Sequence, residues 1–273
     1  MTSQALIAVT NLTMAYGSFV LQRDLTFTVQ QGDIFVIMGD SGCGKSTLLR
    51  HMIGLKEPAS GTVHFRDTNF WETSAEQRSQ VMRKCGILYQ NSALLSSMTL
   101  AENIALPLRQ HTSLAKDEID DLIALKLRLV GLGGFENFYP AEISGGMKKR
   151  AGLARAIALD PEILFFDEPS AGLDPISARL LDDLILELRD SLGATVVIVT
   201  HELASIFAIG NDSIFLDSDT HTMIAQGNPV TLLATTTNKK VKQFLTRGGS
   251  YNGQVAGIAQ PSLKEYHKDT PIL

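Results

Sequence analysis

Cysteine is scarce in this chain: 273 residues contain two, Cys43 and Cys85. Two cysteines so spaced do not make a disulfide framework, and a reducing compartment is the plainer setting. Long apolar runs are missing as well. No stretch reaches the roughly 18 consecutive apolar residues that a membrane span needs. Residues 1–10 lack the basic start and apolar run of a secretion signal. The expectation is a cytoplasmic chain that meets a membrane only through a partner. There is no excess of positive charge either: 24 Lys and Arg stand against 29 Asp and Glu, a net charge of −5. That balance counts against a dedicated nucleic-acid binder. No internal repeat is visible.

What is present is ordinary for a globular protein, with 44% hydrophobic and 19% charged residues, so the chain can bury a substantial core. Short apolar runs at 33–38, 163–166 and 194–199 read as buried strands. They alternate with helical patterns, one over 45–53 and one in which Leu180, Leu181, Leu184, Ile185 and Leu188 share a face. Such alternation predicts a parallel sheet with helices on its faces. Residues 91–158 are mainly helical in pattern and read as a helical subdomain inserted into the α/β core. Residues 212–216 and 222–226 look like paired strands, and 239–246 like a short helix. From Gly248 the sequence turns polar and Gly-rich, so residues 248–273 are expected to form a C-terminal tail. That tail is either an extended end or a docking segment, as Tyr251, Tyr266 and the terminal Pro271-Ile272-Leu273 would suggest.

Gly39-Asp40-Ser41-Gly42-Cys43-Gly44-Lys45-Ser46 fits G-x-x-x-x-G-K-[ST]. It follows one predicted strand and opens one predicted helix. The glycines let backbone N–H groups turn in around phosphate oxygens. The helix start adds partial positive charge. Lys45 supplies a full charge for β- and γ-phosphates, and the Ser46 hydroxyl can ligate Mg²⁺. Thr47 completes the stretch expected to touch nucleotide. Downstream, Ile163-Leu164-Phe165-Phe166-Asp167-Glu168 is an apolar strand ending in two carboxylates. Ligands bind at that edge of such sheets. Asp167 is placed to hold Mg²⁺ and Glu168 to orient and deprotonate a water.

Between these elements stands Ile143-Ser144-Gly145-Gly146-Met147-Lys148-Lys149-Arg150. After them come Pro169-Ser170-Ala171-Gly172-Leu173-Asp174-Pro175 and Thr200-His201-Glu202. Together, and in this order, the motifs resemble the ABC ATPase family over about residues 5–235. The resemblance implies a P-loop NTPase (RecA-like) α/β core with a parallel sheet, an antiparallel β part and the inserted helical subdomain, all within residues 1–247. It implies ATP and Mg²⁺ as ligands. By resemblance, Tyr16 stacks on adenine, although a core or surface tyrosine at a strand end is the other reading. Gln90 contacts Mg²⁺ and faces a membrane partner. Ser144, Gly145 and Gly146 cap a γ-phosphate held mainly by the opposite subunit. Asp174 links the two sites, and His201 touches the γ-phosphate. Met147 stands where many members carry Gln, and Ile143 where Leu is commoner; neither change removes the phosphate-touching serine or glycines.

The family resemblance implies a head-to-tail homodimer across ATP, permease subunits as partners, no nucleic acid, and a peripheral place on the cytoplasmic face of the inner membrane. Leu94, Leu95, Met98 and Leu100 are candidates for the permease-facing surface, or are plain helical core. Phrases such as Asn103-Ile104-Ala105-Leu106-Pro107-Leu108-Arg109 and the Met-containing signature resemble the ATPases of Mla-type phospholipid transporters. Those systems carry a lipid-binding envelope subunit. Amino-acid importer ATPases share much of the same text. DNA-repair members often insert a coiled coil between phosphate loop and acidic strand, and Lys45 and Asp167 are too close in sequence for one. Translation-type members usually fuse two such domains, and one set of motifs is present here. A regulator that binds ATP without hydrolysing it is disfavoured by Glu168 and His201.

Overall fold

The computed structural model describes residues 5–248; the expected tail from 249 onward lies outside them. In chain order the elements are β1 (Ala5–Tyr16), β2 (Phe19–Gln30), β3 (Ile34–Gly39), α1 (Lys45–Met52), β4 (Ser60–Phe65), β5 (Thr68–Asn69), α2 (Ala75–Arg83), β6 (Cys85–Leu88), α3 (Leu100–His111) and α4 (Lys116–Leu129). After a 3₁₀ turn at Pro140–Glu142 follow α5 (Gly145–Ala156), β7 (Ile163–Asp167), α6 (Pro175–Leu192), β8 (Thr195–Val199) and α7 (Leu203–Ile209). The described chain closes with β9 (Asp212–Asp217), β10 (Thr222–Gln226), α8 (Pro229–Thr235) and α9 (Lys239–Leu245).

Six strands form the central sheet in the order β10-β9-β3-β8-β7-β6. All neighbours are parallel except β10, which pairs antiparallel with β9. Its inner strands are apolar throughout because both faces are covered. Alternate side chains feed two separate cores, as the two-residue period of a strand requires. In β3, Ile34, Val36 and Met38 face the first core and Phe35 and Ile37 the second. In β7, Leu164 and Phe166 face the first, Ile163 and Phe165 the second. The first core takes α3, α4, α5 and α6; the second takes α1 and a separate antiparallel sheet. Burying one phenylalanine of β7 in this way stabilises by about 1.5–3 kcal/mol.

The antiparallel part is larger than the sequence suggested. Besides β9–β10, a four-stranded sheet β2-β1-β4-β5 stands over α1. Its strands pair with repeated register shifts, among them one between Val9 and Leu12, and each shift interrupts the alternation by which a strand is read. One helical reading also needs correction. In α6, Leu181, Leu184, Ile185 and Leu188 are buried, but Leu180 is 62% exposed. It falls outside the apolar stripe defined by the other four.

Candidate functional site

The phosphate loop leaves β3 at Gly39, which has a φ of 146°. A Cβ at that position would lie 2.2 Å from the Leu216 carbonyl oxygen of neighbouring β9, so only glycine fits. Asp40, Ser41 and Gly42 run along the surface while Cys43 is buried beneath them. Burial pushes the Cys43 thiol up, away from thiolate. Gln22 of β2, fully buried, donates from Nε2 to the Cys43 carbonyl at 2.9 Å and to the Asp217 carbonyl at 2.8 Å. It ties the loop to both sheets. Gly44, with a φ of 102°, precedes α1. The Lys45 Nζ donates to the Gly39 and Asp40 carbonyls at 2.9 and 2.8 Å, which holds its ammonium over the loop.

Ser46, one residue into α1, donates its hydroxyl to Asp167 Oδ1 at 2.7 Å. Asp167 ends β7 in register with Val199 of β8, so the sheet places it at the mouth of the loop. Glu168 follows with a φ of 49°. A left-handed glutamate is uncommon and costs of order 1 kcal/mol or more. The turn carries the carboxylate towards His201 after β8, and the Nδ1–H of His201 donates to Glu168 Oε1 at 2.8 Å. That bond requires the proton on Nδ1. The other oxygen, Oε2, is buried without a hydrogen-bond partner.

Tyr16, the last residue of β1, is 50% exposed, so it is not a core tyrosine. The Lys56 Nζ lies 3.0 Å from the centre of its ring, and its hydroxyl is 3.4 Å from Thr47 Oγ1. The Thr47 hydrogen bond first, and Lys56 with it, lower the phenol from its usual range.

Gln90 is exposed just past β6. Its backbone is held by a residue that the motif reading passed over. Lys149, on α5 and only 6% exposed, donates to the Gln90 carbonyl and, at 3.4 Å, to the Glu168 carbonyl. Burial lowers the Lys149 ammonium from its usual range, with Glu168 and Asp167 acting against that. Arg155, two turns along α5, donates to the Ser92 and Ala93 carbonyls at 3.1 and 2.8 Å. Beyond them, Leu100 is buried, Leu94 packs partly on the core and Leu95 is 45% exposed. The fully buried Asn103 secures that turn through hydrogen bonds to Leu95, Met98 and Thr99. The apolar set of 94–100 is thus part core and part surface.

Ser144 and Gly145 are exposed at the start of α5. The Ser144 hydroxyl caps that helix, accepting from Met147 N at 3.2 Å, an arrangement that stabilises by about 1 kcal/mol. A Cβ on Gly145 would meet nothing within 4 Å. Asp174 caps α6 through the Ile176 and Ser177 amides, both at 3.0 Å. Among the described residues, no hydrogen bond joins Ser144, Gly145, Gly146 or Asp174 to the phosphate loop. One chain therefore gathers the loop, Asp167, Glu168, His201 and the Gln90 segment, and leaves the signature apart from them.

The residues suit magnesium bound with nucleotide. Among the described residues no group of three or more His, Cys, Asp or Glu could hold a metal unaided. A hydroxyl and a carboxylate in contact beside a phosphate loop match the way Mg²⁺ is usually shared between protein and phosphate oxygens.

The profile described as ABC transporter matches residues 22–171. A Mycobacterium tuberculosis protein described as a probable ribonucleotide transport ATP-binding protein, mkl, is 41% identical over 88% of this chain. The match spans 66% of that protein, just under two thirds of its length. The intermembrane phospholipid transport system ATP-binding protein MlaF of Haemophilus influenzae is 38% identical over 89% of this chain and 91% of its own. Among solved structures, cbiO1 from Clostridium perfringens, part of the ABC transporter complex cbiONQ, superposes with a TM-score of 0.77 at 25% identity, covering 85% of this chain and 91% of that one. The ATP-binding cassette MJ0796, solved as a dimer bound to ADP and Pi, superposes with a TM-score of 0.74 at 27% identity over 81% of this chain and 98% of that one. The chain belongs to the ABC transporter family.

Proposed function

We propose that this chain powers phospholipid transport between bacterial membranes as a head-to-tail homodimer bound to permease subunits. The observation that carries the composite site is the separation just described: the loop, Asp167, Glu168 and His201 converge in one chain while Ser144–Gly146 present open N–H groups elsewhere. A second copy brings its signature over the first copy's nucleotide. The relative MJ0796 cassette is dimeric with ADP and Pi bound, which supports this reading.

In the mechanism, Lys45 and the loop amides bind the β- and γ-phosphates. Tyr16 stacks on the adenine with Lys56 behind its ring. Ser46 and Asp167, with the Gln90 side chain, would hold Mg²⁺, which supplies charge neutralisation of the departing phosphoryl oxygens. Glu168 accepts a proton from the attacking water, and its unpartnered Oε2 is the oxygen available for it. His201 orients Glu168 through Nδ1–H and reaches the γ-phosphate. The partner's signature, with the dipole of its helix, caps the same phosphate. Loss of phosphate removes the shared charge and lets the dimer open.

No helix of the described residues is long and apolar enough to cross a membrane, so permease contact is assigned to the exposed turn around Gln90 and Leu95. The cargo reading rests on the MlaF relatives, whose length this chain matches almost fully. The mkl relatives, described as probable ribonucleotide transporters, favour a second cargo. Affinity purification of the tagged chain from detergent-solubilised native membranes, with companions identified by mass spectrometry, decides between them. A permease with a lipid-binding envelope subunit is expected. A permease with a soluble solute-binding protein would contradict the phospholipid reading, and ribosomes or DNA-repair factors alone would contradict transport.

A further inference from the structure

Helix α9 belongs to none of the motifs above, yet side chains on it and just past its end reach both the phosphate loop and the neighbour of His201. The helix is fixed at its base. Val241 and Leu245 are buried, and the Phe244 ring meets Phe215 of β9 edge-on at 5.1 Å. Asn238 caps it through the Lys240 and Val241 amides. From this base the Lys240 ammonium joins three carboxylates: Asp40 Oδ2 at 2.7 Å, Asp219 Oδ2 at 2.8 Å, and Asp217. The Asp217 side chain is 4% exposed and also accepts from the Thr220 amide and hydroxyl. Burial works to raise the Asp217 carboxyl, but the bonds from Lys240 and Thr220 outweigh it and hold it below the usual range. The three carboxylates hold Lys240 above its own.

Two turns on, Arg247 pairs with Glu202 Oε2 at 3.2 Å. Glu202 Oε1 lies 3.6 Å from His201 Nε2, whose other nitrogen is on Glu168. One end of the α9 segment thus grips the second residue of the phosphate loop, and the other grips the neighbour of His201. Between the two grips lies a cleft of about 480 Å³ lined by Asp40, His201, Leu203, Lys240, Gln243 and Phe244.

We propose that α9 and the turn after it form a positioning element for ATP hydrolysis, in which Lys240 sets the phosphate loop through Asp40 and Arg247 sets His201 through Glu202. The inference rests on the ATPase reading of the site. Asp40 lies between Gly39 and Ser41, so anchoring its side chain orders the backbone amides that meet phosphate. A loop without that anchor must be ordered at the moment of binding, which weakens ground-state affinity. The His201 arm bears on a group needed once charge develops, so its loss falls on turnover.

Steady-state ATPase kinetics of the full chain test this. K240M is expected to raise KM for MgATP about five- to tenfold with kcat within about twofold, while R247M lowers kcat about threefold at unchanged KM. K240R restores most of the K240M loss, because a second cation refills the same three carboxylates. A purely structural Lys240 would act through Asp217 alone. In the D40N background K240M is therefore expected to add less than about twofold to KM, since both changes break one contact. Should K240M fold poorly, D40N by itself carries the test: the same rise in KM at an unchanged melting temperature is expected. A full-sized K240M effect in the D40N background would overturn the proposal, as would wild-type KM and kcat in K240M and R247M. Wild-type protein that hydrolyses no MgATP would overturn the ATPase reading instead, before any variant is compared.

Discussion

The phosphate-loop half of the site and the signature half are built in opposite ways. At the C-terminal edge of the central sheet, polar groups meet each other within the chain: Ser46 on Asp167 and His201 on Glu168. At the start of α5, Ser144 satisfies its own helix, and Gly145 has open space where a side chain would be. Yet the same helix reaches back. Two residues beyond Met147, Lys149 is buried against the backbone of both Gln90 and Glu168. In the proposed function the first region binds the nucleotide. The second is the surface that the proposed dimer uses, and Lys149 of α5 connects it to the Glu168 carbonyl. In the proposed dimer, one lysine thus joins the signature helix to Glu168 and to the Gln90 segment.

Breaking that connection gives the largest effect expected from a residue to which the motifs assign no role. K149M leaves the Gln90 and Glu168 carbonyls without their donor, and kcat is expected to fall about tenfold with KM little changed. K149R should recover much of the loss. Rapid-quench or coupled-assay kinetics would check both, and equal loss in kcat and nucleotide affinity would show that Lys149 supports binding rather than the connection.

A smaller effect sharpens the comparison from the side of α6, the helix that Asp174 caps. Asp182 is buried in α6 and accepts from Ser205 of α7 at 2.8 Å. Burial pushes its carboxyl up to about 6. The folded state therefore disfavours the ionised form, so stability falls as pH rises from about 4 to 6 and is flat above; the whole difference is at most about 3 kcal/mol. D182N keeps an acceptor for Ser205 without a charge. Thermal or urea unfolding is expected to show D182N more stable than wild type by about 1–2 kcal/mol at pH 7.5 and no more stable at pH 4. A gain at both pH values would locate the effect in packing instead of ionisation.

The parts of the site that were legible in the sequence are contiguous. The loop from Gly39 to Ser46, the Asp167-Glu168 strand end and His201 each carry their chemistry in a few adjacent residues, and the parallel sheet follows from apolar strands covered on both faces. The rest depends on contacts distant in sequence. Gln22 gives no local sign that it will join Cys43 to Asp217, and Lys149 none that it will meet Gln90 and Glu168. Nothing in α9 announces Asp40 as a partner of Lys240. The sheet of β1, β2, β4 and β5 escaped for a different reason, since its register shifts break the two-residue pattern. Spacing places Leu180 on the buried face, but the packed stripe of α6 runs through its neighbours.

The central claim is that a working site needs two copies, and mixing two inactive variants tests it most directly. K45A disables the phosphate loop and S144R the signature, and each alone is expected to lose at least about a hundredfold in ATPase rate. In an equimolar mixture half of the randomly formed dimers pair one of each, and each such dimer holds one site with wild-type Lys45 and wild-type Ser144. The account predicts that activity returns, up to about a quarter of the wild-type rate. A mixture no more active than the two variants measured separately would contradict the composite site.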